Sequence, residues 1–305
     1  MTRVAAIDCG TNSLRLLVAD VEGGHLTDVV REMRIVRLGQ DVDRTGRIAD
    51  EALARTLSAL AEYAVLIRRL GAERIRMCAT SATRDAENRD EFVHGVVDIL
   101  GVEPDVISGA VEAATSFRGA TATLATDAFP APYLVVDIGG GSTEFVLGET
   151  SVLQSISVDL GCVRLTERCL QSHPPTEPEI ARATAQIDER LDEALSVVDA
   201  SPARTLVGLA GSVTTVAALA LGLAAYDPLR IHHHRMRYAD VDRVTRDLLG
   251  RTPAQRLEYP VMHPGRADVI GAGALILRRI MERTESTEVV ASESDILDGI
   301  ALSLQ

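Results

Sequence analysis

At 305 residues the chain exceeds what a single hydrophobic core usually organises, about 250–300 residues, so two domains are expected. The composition, 46% apolar and 25% charged, is that of a globular protein; aromatics are only 3% and Trp is absent, so the core must be aliphatic. A net charge of −13 argues against a broad nucleic-acid surface, which is usually basic, and all 31 basic residues are Arg, which excludes a P-loop, Schiff-base or general-base lysine.

Taken in chain order, residues 3–8, 14–20 and 27–37 read as three strands joined by short turns. The N-terminus enters the first strand with no signal-peptide pattern, and no apolar run nears the roughly 20 residues that cross a bilayer; a cytoplasmic protein without a membrane partner is expected. After Asp50, apolar residues recur at helical spacing until Gly71. "RIRMCATSA" reads as a strand running into a loop, "NRDEFVHGVVDILG" as a helix with a glycine stop, "EPDVISG" as a short strand and "AVEAATSFRGATATLA" as an Ala-rich helix. The order is βββαβαβα.

The Pro-containing link "DAFPAP" then opens a second half. Residues 132–137, 143–147 and 151–158 are again three strands, and 162–171 and 177–199 are helical, with "SHPPTEPE" as the loop between them. "RTLVGLAGS" is a strand into a glycine turn and "VTTVAALALGL" a helix; helices "ADVDRVTRDLLG" and "ADVIGAGALILRRIMERT", strand "TEVVAS" and helix "SDILDGIALSL" complete the chain. Alternating strands and helices favour layered α/β domains. The expected division is 1–125 and 126–291, with a C-terminal helix near 292–305 free to pack back on the first domain.

The segments "AAIDCGTNSLRLLVAD" and "VVDIGGGSTEF" share one layout: apolar run, Asp-x-Gly-x-x-Ser, apolar run. Asp8 matches Asp137, Gly10 matches Gly139, Ser13 matches Ser142 and Arg15 falls where Glu144 falls, all offset by 129 residues. Three consecutive glycines are entropically costly and need a reason, such as positive φ or a backbone that something approaches closely. Successive N–H groups in such a turn form an anion site, to which Ser13, Ser142 and Thr143 add hydroxyls. Asp8, Asp137 and Glu144 would repel a bound phosphate unless a cation lay between them, which is the usual setting of Mg²⁺.

Cys9, Cys78, Cys162 and Cys169 lack a zinc pairing pattern and read as reduced, buried thiols. In "RIHHHRMR", His232 and His234 would share one face of a strand and His233 the other; the run reads as a polar edge, or with Arg230, Arg235 and Arg237 as a local basic patch, rather than a metal site.

Paired Asp-Gly hairpins in duplicated halves resemble the actin-like (ribonuclease H-like) phosphotransferase superfamily. Within it, "IDCGTNSLRLLV", "CATSATRDAENRDEF", "VISGAVEA", "VDIGGGSTEF", "LGCVRLTE", "LAGSVTTVAAL" and "ADVIGAGALIL" resemble, in order from Val4 to about Leu304, the exopolyphosphatase/guanosine pentaphosphate phosphohydrolase (Ppx/GppA) family in its short, two-domain form. The resemblance implies two βββαβαβα domains with an interdomain active-site cleft, a homodimer, and Mg²⁺-dependent (alternatively Mn²⁺-dependent) hydrolysis of a terminal phosphoanhydride. The substrate would be inorganic polyphosphate or guanosine pentaphosphate; a non-catalytic sensor of either is the remaining alternative.

The same resemblance implies the residue roles. Glu112 is the general base, in a stretch where many members carry two adjacent glutamates and this chain has Val111 first. Arg84 stands near the phosphate chain. Gly10, Thr11, Asn12 and Ser13, with Gly139, Gly140, Gly141, Ser142 and Thr143, hold phosphate; Gly211 and Ser212 bind further along the substrate; Asp137, Glu144 and Asp8 attend the metal.

Overall fold

The computed structural model describes residues 1–124 and 128–305. The expected boundary at 125/126, the last residue of the expected Ala-rich helix and the first residue of "DAFPAP" lie outside the described residues. The chain divides into two compact units, Met1–Ala122 with Asp295–Gln305, and Thr123–Ser294.

The first unit runs β1 (Thr2–Cys9), β2 (Ser13–Glu22), β3 (His25–Ile35), α1 (Val42–Thr45), α2 (Asp50–Leu70), β4 (Arg74–Ala79), α3 (Ser81–Asp85), α4 (Arg89–Leu100), β5 (Asp105–Val106) and α5 (Gly109–Thr121). Its five-stranded sheet has the order β3-β2-β1-β4-β5; β1 pairs antiparallel with β2 and parallel with β4. Both faces are covered. Ala5, Ile7, Cys9, Leu14, Leu16 and Val18 face a core that includes Leu60, Tyr63 and Ile67 of α2, while Val4, Ala6, Leu17, Ala19 and Val21 face the opposite core. This is why β1 reads as an unbroken apolar run rather than an alternating one. Gly71, at φ +69°, ends α2 in the left-handed conformation glycine takes at no steric cost.

The second unit runs β6 (Tyr133–Ile138), β7 (Thr143–Gly148), β8 (Val152–Val158), α6 (Cys162–Cys169), α7 (Glu177–Val197), β9 (Thr205–Leu209), α8 (Ala210–Ala220), α9 (Pro228–Ile231), β10 (Arg235–Arg237), α10 (Tyr238–Leu249), α11 (Pro253–Arg256), a 3₁₀ turn at Pro264–Arg266, α12 (Ile270–Arg283) and β11 (Glu288–Ala291). Its six-stranded sheet has the order β10-β11-β9-β6-β7-β8. Leu134, Val136, Ile138, Phe145 and Leu147 anchor the core beneath α7, α8 and α12. All four cysteines are buried and free, and burial pushes the Cys78 thiol up to about 12, so it stays protonated. Among the described residues no helix is long and apolar enough to cross a membrane.

The chain closes with α13 (Ile296–Leu302), which belongs to the first unit. Ile296, Leu297, Ile300 and Ala301 complete the core beneath Val4, Ala6 and Leu17. The helix meets α5 through glycines: a Cβ on Gly119 would lie 1.8 Å from the Asp295 carbonyl oxygen, and one on Gly299 would lie 2.0 Å from that of Thr115.

Three expectations need correction. The loop expected after β4 begins with α3, so Arg84 sits on a helix. The helix expected from Val213 starts at Ala210, which places Gly211 and Ser212 in its first turn. The histidine run is not a strand. His232 follows α9, whose N-cap Asp227 accepts from Leu229 N, and His233 has φ +62°, which an extended strand cannot accommodate. Only Arg235–Arg237 pair as a strand, antiparallel to β11.

Candidate active site

The two glycine turns have the same local geometry. Gly10 N donates to Ser13 O at 3.0 Å, and Gly139 N donates to Ser142 O at 3.0 Å. Cys9 pairs with Leu14 in one hairpin and Ile138 with Thr143 in the other, which keeps the 129-residue offset. None of Gly10, Gly139, Gly140 and Gly141 has positive φ, so backbone handedness is not what calls for them; a Cβ on Gly139 would lie 3.0 Å from Ser142 O, whereas one on Gly10 would meet nothing nearer than 3.7 Å. In the second turn, a Cβ on Gly161 would lie 2.2 Å from Gly140 O.

The carbonyls of both turns are spent on neighbouring segments. Thr11 O accepts from Gly39 N, and Asn12 O accepts from Val36 N and Arg37 N. In the second turn Gly139 O accepts from Cys162 N, Gly140 O from Val163 N and Arg164 N, and Gly141 O from Arg164 Nε at 2.8 Å. In a trans peptide the C=O and the following N–H point in opposite directions. The N–H groups of Asn12 and Ser13, and those of Gly140, Gly141 and Ser142, are therefore turned the other way, as an anion site requires. Thr143 Oγ1 donates to Leu160 O and is fully buried, and Thr11 Oγ1 bonds Ser81 Oγ at 2.9 Å.

Glu112 and Arg84, 28 residues apart, meet: Arg84 Nη1 donates to Glu112 Oε2 at 3.1 Å and to Ile107 O at 3.0 Å. Ser108, the N-cap of α5, accepts from Val111 N, so Glu112 lies in the first turn, where the helix dipole favours a carboxylate. Glu112 is 8% exposed, whereas Val111, in place of a second acid, is 44% exposed.

Asp137 and Glu144 are directly opposed residues of β6 and β7 and so share one face of the sheet. Both are buried, and Glu144 Oε1 accepts from Ser157 Oγ at 2.7 Å. Like charges directly opposed across two strands are destabilising, so this pair fits a cation. Among the described residues no group of three or more His, Cys, Asp or Glu could hold a metal, but Mg²⁺ commonly uses one or two carboxylates with water and substrate phosphate. The matched pair in the first unit differs. Asp8 opposes Arg15, which donates to it through Nε at 2.9 Å and Nη2 at 2.7 Å and also donates to Asp295 through Nη1. Burial works to lower the Arg15 pKa, but Asp295 and Asp8 hold it well above the ordinary guanidinium value.

Residues 17–305 match the family model described as the Ppx/GppA phosphatase family. The chain belongs to that family. It is 54% identical over 317 aligned positions to exopolyphosphatase 2 of Mycobacterium tuberculosis, covering 100% of this chain and 99% of that one. Its structure is similar to the crystal structure of an exopolyphosphatase-like protein (TM-score 0.96, 46% identity, 99% and 97% of the two chains). It is also similar to the Aquifex aeolicus Ppx/GppA enzyme (TM-score 0.83, 32% identity, 99% of each). The actin-like α/β fold expected from the sequence is thereby borne out, with mixed sheets of five and six strands.

Two arginines that were not among the expected site residues contact them, Arg266 at Gly211 and Arg15 at Asp8. Arg266 covers Gly211: a Cβ there would lie 2.2 Å from the guanidinium, and Arg266 Nη1 donates to Gly211 O and Thr215 Oγ1 at 3.4 Å. Its signal was its place one residue before the "ADVIGAGALIL" motif. Arg15 is the other; its signal was the charge inversion against Glu144. Ser212 packs against α12, where a Cβ on Gly273 would lie 2.2 Å from its Oγ. His232 and His233 stack at 3.7 Å, and burial lowers the His233 pKa.

Proposed function

We propose that the protein is an exopolyphosphatase-type hydrolase of the cytoplasm, which releases terminal orthophosphate from inorganic polyphosphate. The observation that carries this reading is the full-length likeness to the mycobacterial exopolyphosphatase 2. Glu112 takes a proton from the attacking water, the new P–O bond forms at the terminal phosphorus, and the bridging P–O bond breaks to leave a chain one phosphate shorter. Arg84 holds the Glu112 carboxylate in one orientation and offsets phosphate charge, and the turn N–H groups bind the remaining oxygens. A divalent ion, Mg²⁺ or Mn²⁺, would be held by Asp137 and Glu144, and when bound it neutralises charge on the phosphate oxygens. Phosphate release from polyphosphate, guanosine pentaphosphate and ATP, measured in parallel, tests the reading. Faster turnover of guanosine pentaphosphate moves the assignment to the nucleotide, and binding of any of these without release makes the chain a sensor.

Asp137→Asn and Glu144→Gln are each expected to raise the Mg²⁺ concentration for half-maximal activity, since each weakens the cation site without changing the turn. An unchanged Mg²⁺ dependence in both variants would show that the two acids only shape the hairpin.

Short polyphosphates are expected to be the better substrates. The chain carries 44 acids against 31 arginines, and many arginines are engaged by acids, among them Arg3 by Asp20, Arg76 by Asp105 and Arg279 by Asp188. In the basic run, Arg235 pairs with Glu288. Each phosphate beyond the site adds repulsion that salt relieves, because exposed charges more than about 8–10 Å apart are largely screened at physiological ionic strength and this distance shortens as salt rises. The check is kcat/KM against chain length at two salt concentrations. A steady rise toward chains of hundreds of phosphates at low salt overturns it.

A further inference from the structure

We propose that Arg15 is a built-in cation, doing in the first turn what a bound divalent ion does in the second, so that Asp8 ligates no metal and the protein holds its divalent ion on Asp137 and Glu144 alone. This rests on the hydrolase reading above and deepens it. The two units lay down the same hairpin, with the same Gly-to-Ser hydrogen bond and the same strand register. One matched position differs in charge: Arg15 opposes Asp8 where Glu144 opposes Asp137.

Arg15 is also fixed in place. Two of its nitrogens donate to Asp8 Oδ2 and a third donates to Asp295. Asp295 is itself immobilised as the N-cap of α13, accepting from Leu297 N at 3.0 Å, while its own N–H donates to Asp298 Oδ2 at 2.9 Å. Asp298 in turn accepts from Arg31. A guanidinium is always charged, so a divalent ion on Asp8 would sit against a positive charge that cannot move away. At the matched acid pair of the second unit the strand partner is a carboxylate, so the same ion would be attracted by both residues.

The test is a Mn²⁺ titration of the full chain without substrate, read by electron paramagnetic resonance, on wild type, Asp8→Asn, Asp137→Asn and Arg15→Glu. One Mn²⁺ per chain is expected. Asp8→Asn should leave its affinity within about twofold and Asp137→Asn should weaken it at least tenfold. Arg15→Glu copies the acid pair into the first turn, and a folded variant should gain a second ion; if it does not fold, the Asp8→Asn result decides alone. A tenfold loss of affinity in Asp8→Asn, or a folded Arg15→Glu chain that gains no ion, overturns the inference while leaving the hydrolase reading intact. Wild-type affinity in Asp137→Asn overturns the metal assignment itself, and with it the difference between the two turns.

Discussion

Replacing Glu112 by Gln lowers kcat by about 10²–10⁴-fold, the usual worth of general-base catalysis, while KM for polyphosphate changes little. Gln keeps the size of the side chain and an oxygen that can accept from Arg84, whose Nη1 also bonds Ile107 O and so has a second anchor. The start of α5 is held independently by the Ser108 cap. What the substitution removes is the capacity to accept a proton from water. The measurement is steady-state phosphate release, with direct binding of polyphosphate to the variant as the control. A variant that keeps most of its turnover removes Glu112 from the mechanism; one that loses binding and turnover together assigns Glu112 to the shape of the site instead.

Gly119→Ala should destabilise the first unit by about 1–3 kcal/mol or more, the range for overpacking a closed contact, and lower turnover with it. The added methyl would stand 1.8 Å from the Asp295 carbonyl oxygen, a backbone atom that cannot rotate aside. Either α13 lifts from α5 or α5 shifts, and α5 carries Glu112. If α13 lifts, the buried carboxylates of Asp295 and Asp298 pull away from Arg15 and Arg31, which adds the cost of breaking buried ion pairs. The check is the urea midpoint of the variant beside its kcat. An unchanged midpoint would mean that the helix contact is looser than its geometry, and would sink the prediction.

Much of this molecule was written locally. Asp-x-Gly-x-x-Ser between two apolar runs specifies a hairpin because strand pairing and tight turns depend on residues a few positions apart, so both turns and their 129-residue offset were visible in the chain. The helix stops at Gly71 and Gly101 were equally local, each at positive φ. Where local patterns were ambiguous the reading slipped: a polar run such as His232–His234 has no apolar period to define it, and the positive φ at His233 was invisible. Glu112 and its helix were legible, but its hydrogen bond to Arg84 was not, because it depends on how β4, α3 and α5 assemble.

The sequence by itself determined the two hairpins, the order of most strands and helices, and the chemical types available, with arginine and no lysine as the permanently charged cation. Only the tertiary structure decided which charges meet. Arg15 lies seven residues from Asp8 and 280 from Asp295, yet it binds both, because α13 returns from the end of the chain to the face of β1 and β2. Arg266 reaches Gly211 across 55 residues for the same kind of reason. Periodicity reports which face of an element is buried. It does not report which other element covers that face, and an ion pair is made only by the elements that pack together.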